Sequence, residues 1–144
     1  MKKSTILVVA IILLSVILSV MMFSVCSNLI LKNKLLEKYS DDQNYVALSG
    51  KIVEVDGLVV VIQCEELSEY ISYEDDLCVY YIHSKQIFDL KVGDEIQFIT
   101  VPFHFYNGHQ LPIVELKTSE STLLEFADGK ANLIDWVNDT FGVK

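Results

Sequence analysis

From Ile6 to Phe23 every position is apolar except Ser15 and Ser19, and the uncharged stretch runs on to Leu31. A helix of about 20 residues crosses the hydrocarbon core of a bilayer. The pattern therefore predicts one membrane-spanning helix. It is longer than the apolar core of a cleaved signal, about 7 to 15 residues. Ser24-Val25-Cys26 is only a passable cleavage site, and Val25 stands where a lipid-modified cysteine wants a small residue before it. Lys2 and Lys3 precede the span; Lys32, Lys34 and Lys38 follow it. A two-lysine start running directly into an apolar helix predicts a signal anchor with the amino terminus inside the cell. Ser15 and Ser19 have the spacing that lets helices approach, but serine is common in such segments and two tolerated serines are the preferred reading. Residues 29–40 keep helical spacing until Asp41-Asp42-Gln43-Asn44 interrupts it. The organisation read from the pattern is a stub and anchor over 1–31, a stalk over 32–43 and an extracytoplasmic domain over 44–144.

From Tyr45 to Lys117 the period changes to two, with short β-branched runs between turn signals. Asp56-Gly57 predicts a two-residue hairpin that pairs Val55 with Leu58, Val53 with Val60 and Lys51 with Ile62. Val53, Val55, Leu58, Val60 and Ile62 then share one face. Setting Cys64 opposite Cys78 brings Tyr80 against Ile62 and Ile82 against Val60, which extends that face. Ser84 to Leu90 reads as a turn of helix capped by Ser84. Val92-Gly93-Asp94 opens a longer strand, and Asn107-Gly108 is a second hairpin signal. The pairing it implies turns Ile99, Val101, Phe103 and Phe105 inward and Phe98, Thr100, His104, Tyr106 and Glu115 outward. Pro102 and Pro112 lack an amide donor, so the hairpin tip is expected to project from the sheet. Beyond it, 122–126 is a short helix or strand, Asp128-Gly129 a turn, and Lys130 to Phe141 an amphipathic helix through Leu133, Ile134, Val137 and Phe141, ended by Gly142.

Gly50-Lys-Ile-Val-Glu-Val55 as a bent first strand, Leu90-Lys-Val-Gly-Asp-Glu-Ile-Gln-Phe98 leading into the fourth, and Asn107-Gly108 between the fourth and fifth together resemble the OB-fold. In particular they look similar to the membrane-tethered OB domains of bacterial envelopes. The resemblance covers 44–117. It implies a mainly β architecture: a small five-stranded barrel with a short helix, here followed by the C-terminal amphipathic helix and preceded by the transmembrane helix. It also implies ligand binding on strands two and three and on the loops after strands one and four. The chain departs from the family there, because its first loop is a bare Asp56-Gly57 turn and no basic residue alternates with the aromatics.

Charge narrows the partners. Beyond residue 31, nine lysines and no arginine face twenty acids, a net of −11. A surface for a phosphate backbone is excluded, so no nucleic acid is expected. Three cysteines make no framework by count. With Cys26 in the anchor, Cys64 and Cys78 are either a disulfide closing residues 65–77, worth about 3 kcal/mol, or two buried thiols. Phe103, His104, Tyr106 and His109 at the second hairpin form the candidate partner-binding set, since aromatics ending in solvent favour contact with another molecule. No nucleophile triad, phosphate loop or metal-protease motif is present, so no catalytic residue, metal or cofactor is assigned. The chain reads as no enzyme but as a single-pass cell-membrane protein, an extracytoplasmic binding or adaptor module with an envelope protein as partner. The alternative is a metal- or calcium-dependent envelope enzyme using the acidic segment 65–76 or His104 and His109.

Overall fold

The computed structural model describes residues 2–71, 74–103 and 110–142. Its first element, α1 (Lys2–Ser40), is one unbroken helix of 39 residues. No glycine or proline interrupts it. The hydroxyls of Ser15 and Ser19 donate back to the carbonyls of Ile12 and Ser15, both at 2.8 Å, so neither leaves a polar group unmet. From Ile6 to Ile30 the helix is exposed along its length. It is the one helix among the described residues long and apolar enough to cross a membrane.

The segment expected as a stalk is not a free one. Leu35 is 0% and Tyr39 1% exposed, packed with Val101, Val114, Leu133 and Val137. The spacing of Leu31, Leu35 and Tyr39 is the i, i+4, i+8 stripe of a helix with a partner, and the domain supplies that partner. It also satisfies the last carbonyls of α1, which have no acceptor role inside the helix. Asn44 Nδ2 donates to Lys38 O at 2.9 Å, Tyr45 OH to Tyr39 O at 2.7 Å and Lys130 Nζ to Ser40 O at 2.9 Å.

The barrel comprises β1 (Val46–Asp56), β2 (Val59–Gln63), β3 (Leu77–Ile82), β4 (Glu95–Thr100) and β5 (Gln110–Lys117), with a short β6 (Thr122–Leu124) added beside β5. Strand order is β3-β2-β1-β4-β5-β6, and a parallel β3–β5 pairing closes the first five into a barrel. That is the OB arrangement. The first half of β1 pairs with β4 and its second half with β2. Leu48, Ile52, Val60, Ile62, Tyr80, Ile82, Ile96, Phe98, Leu111 and Ile113 fill the interior. Tyr80 and Phe98 meet edge to face at 5.1 Å.

Register differs from expectation in three places, each for a physical reason. The first hairpin turns on Gly57-Leu58, not Asp56-Gly57: Asp56 pairs with Val59 and Gly57 has φ +62°. A positive φ at the first central position suits glycine there. A bulge at Val53 then lets Ile52 and Val55 both face inward, while Val53 is 38% exposed. Between β2 and β3 the shift is two residues, so Tyr80 meets Val60 and Cys78 meets Ile62. A shift of two preserves the faces. In β4 the shift is one, and Phe98 pairs with Leu116 inside the barrel instead of facing out. The expected assignment supposed one solvated face, but α1 and the C-terminal helix cover the outer side, so Ile99 and Val101 pack there.

The C-terminal helix, α2 (Phe126–Phe141), runs straight through Asp128-Gly129, the expected turn. A side chain at Gly129 would collide with the Val114 backbone; the glycine serves a close helix-to-strand approach. The expected helical turn over 84–90 is irregular chain, although Ser84 Oγ does accept the Gln86 N–H at 3.0 Å. Phe88 and Leu90 from that stretch pack against the barrel core.

Candidate functional site

Of the candidate partner-binding set, His104, Tyr106 and His109 lie outside the described residues, as does Phe105. Phe103 is half-buried against the outer core. Lys34 Nζ stands 5.8 Å and Lys38 Nζ 5.2 Å from its ring centroid. Successive turns of α1 thus bring two cations onto the ring, each contact worth about 0.5–1 kcal/mol at an exposed site. The base of the second hairpin is therefore fixed to α1.

On another side of the barrel, an open groove of about 790 Å³ is lined by Gly50, Lys51, Glu65, Glu66, Glu95 and Gln97, among others. It forms where β1 leaves β4 for β2. A side chain at Gly50 would strike Ile62 and the Gln63 carbonyl, so the strands come close there only because the position is glycine. Glu66 Oε2 accepts the Ser49 N–H at 3.2 Å. Glu65 and Glu66 open the acidic segment 65–76, whose first part is a tight helical turn (Glu65–Glu69) anchored by Leu67, 1% exposed. Three carboxylates against one lysine make the groove electronegative. Among the described residues no group of three or more His, Cys, Asp and Glu is placed to hold a metal ion.

Inside the barrel Cys64 and Cys78 are free thiols, both buried. Cys78 sits opposite Ile62, and the Cys64 N–H bonds the Asp76 carbonyl at 2.9 Å. The two cysteines are therefore diagonal neighbours and not the directly opposed pair expected. Burial pushes the Cys78 thiol up to about 12 and raises Cys64 as well. Neither has the thiolate character that nucleophilic or redox chemistry requires.

The sequence reading passed over His83. It is 6% exposed, with the Tyr81 ring at 4.9 Å and the Trp136 ring at 5.5 Å. Its carbonyl accepts from Asn132 Nδ2 of α2 at 3.1 Å. Burial lowers its pKa to about 4, so the ring is neutral at physiological pH. The available signal was the alternation Tyr81-Ile82-His83, which puts both rings on the outward face of β3; nothing local announced that α2 would cover them. Trp136 in turn meets Phe141 at 5.9 Å. A row of rings thus descends from the barrel wall to the end of α2.

No family model matches the chain, and no curated protein matches it. Among solved structures it is similar to CusF from Escherichia coli. The apo form is 16% identical with a TM-score of 0.38, over 52% of this chain and 87% of that one. Ag(I)CusF is 16% identical with a TM-score of 0.36, over 52% of this chain and 97% of that one. A Cu(II) form of a CusF variant is 16% identical with a TM-score of 0.37, over 55% of this chain and 96% of that one.

Proposed function

We propose that the protein is a single-pass, membrane-anchored binding or adaptor module of the bacterial envelope, with its OB barrel on the extracytoplasmic side and no catalytic role. The observation that carries this reading is the continuity of α1: its exposed apolar length from Ile6 to Ile30 passes without a break into the buried Leu35 and Tyr39. A lipid-soluble rod that ends inside a folded core is an anchor for that core. The high net negative charge supports a protein or small-molecule partner over a nucleic acid. The test uses the full chain in its native membrane, with a photo-crosslinking residue at Gln97 in the groove or at Phe103. The reading expects proteolysis of the barrel in spheroplasts without detergent, and one discrete crosslinked product from either position. A barrel protected until the inner membrane is opened would place it in the cytoplasm. Absence of crosslinked product from both positions would remove the adaptor role.

A further inference from the structure

The two helices share a geometry that sets the height of the domain above the bilayer. Lys130, near the start of α2, reaches the carbonyl of Ser40, the last residue of α1. Leu133 and Val137 pack with Leu35 and Tyr39. Since α1 ends at Ser40, α2 must run back along it, antiparallel. Phe141 lies eleven residues beyond Lys130, a descent of about 16 Å. The same distance counted back along α1 from Ser40 arrives at about Leu29 to Leu31. That is where the uncharged stretch ends and Lys32 begins. The stretch from Ser4 to Leu31 is 28 residues, about 42 Å of helix, which equals a bilayer with both headgroup zones included, about 40–45 Å.

We propose that the carboxy-terminal end of α2 is a second membrane contact, with Phe141 seated in the headgroup zone of the leaflet from which α1 emerges and Trp136 just above it. This rests on the reading that α1 spans the bilayer. Phe141 and Trp136 are each only half-buried within the chain and touch one another; the amphipathic indole is a ring that settles at the interface, and phenylalanine is a residue that the apolar face of an interfacial helix carries to the headgroup boundary. Lys32 follows directly on that level of α1 and offers its ammonium group to lipid phosphates, while Lys34 and Lys38 above it are turned to the Phe103 ring. Asp135, Asn138 and Asp139 of α2 and Glu37 of α1 are exposed and stay in water above the acyl chains. The occupant of this surface is a lipid interface and not a second protein.

Trp136 is the only tryptophan, which makes the depth measurable. The full chain is reconstituted into phosphatidylcholine–phosphatidylglycerol vesicles, as wild type and as the double variant Trp136→Phe, Phe141→Trp. The bilayer contains lipid brominated either near the headgroup end of the acyl chain or at its far end. The expected result is that tryptophan at 141 loses more than half its emission to the shallow bromine and little to the deep one, and that tryptophan at 136 is quenched less. No quenching at 141 by either lipid, with the chain still resistant to alkaline carbonate extraction, overturns the contact and leaves the anchor standing. Extraction by carbonate overturns both together. A tryptophan at 141 that escapes bromine yet is shielded from aqueous acrylamide in proportion to the protein-to-lipid ratio assigns the surface to a second copy of the chain, and overturns the lipid. Should the double variant fail to fold by circular dichroism, Phe141→Tyr in the wild-type background gives the same readout through Trp136, whose weak shallow quenching is expected to persist and whose complete insensitivity to lipid overturns the proposal.

Discussion

His83 is a neutral ring enclosed by Tyr81, Trp136 and α2, and its titration is tied to folding. Its ordinary pKa of 6.5 falls to about 4 in the folded chain through desolvation. The unfolded chain therefore binds the proton first, and stability is fully present above pH 6.5 and is lost as pH falls through about 4. Between those limits the native chain should lose up to about 3 kcal/mol more than His83→Phe, measured by denaturant unfolding of the two side by side. The carboxylates that titrate in the same range are common to both chains and cancel. A second prediction follows from Cys64 and Cys78. Because burial holds both thiols protonated, a thiol reagent should modify Cys26 in detergent at mildly alkaline pH, and the other two only on unfolding. Native labelling of Cys78 at the rate of a free thiol would contradict the buried placement.

Gly129 shows how an element can obey tertiary structure against its own propensity. Alanine is the better helix former by about 1 kcal/mol, so propensity alone predicts that Gly129→Ala stabilises α2. The added methyl meets the backbone of Val114, which cannot swing aside as a side chain could. The clash should win, with a net loss of about 2–3 kcal/mol read as a lowered melting temperature and an earlier denaturant midpoint. The same conflict marks the limit of what local sequence discloses. The long apolar helix, the barrel strands and the amphipathic stripe of α2 were legible because each is written in a period that one segment carries alone. The bulge at Val53 was not, since one unpaired residue leaves no trace in a period-two pattern. Phe98 and Ile99 are adjacent and both at least partly buried, on opposite sides of one strand; alternation cannot signal that, because it assumes one face is wet. For the site, Phe103 was singled out as an aromatic at a hairpin, but its partners Lys34 and Lys38 lie some seventy residues away. His83 likewise depends on Asn132 and Trp136, some fifty residues away, and the groove at Gly50 on how β4 and the Glu65–Glu66 turn come to flank β1.

At the scale of the whole molecule, α1 and the domain are one piece of structure. A soluble fragment beginning at residue 40 would discard Leu35 and Tyr39, both fully buried. Each such truncation costs about 2–5 kcal/mol against a total stability of about 5–15 kcal/mol. That fragment should show no cooperative thermal transition, whereas one beginning at Leu31 should melt as a single unit by differential scanning calorimetry. On the proposed anchoring, the unbroken helix has a further meaning for anything that meets the barrel from within the same membrane. A helix without a hinge converts sequence length into bearing: one residue inserted between Cys26 and Ile30 turns everything above it by about 100° and lifts it about 1.5 Å. The groove at Gly50 then faces a new compass point. Capture of a membrane-embedded partner should accordingly rise and fall with the number of inserted alanines, weakest at about two and recovering near about four, one full helical turn. A flexible tether would erase that rhythm.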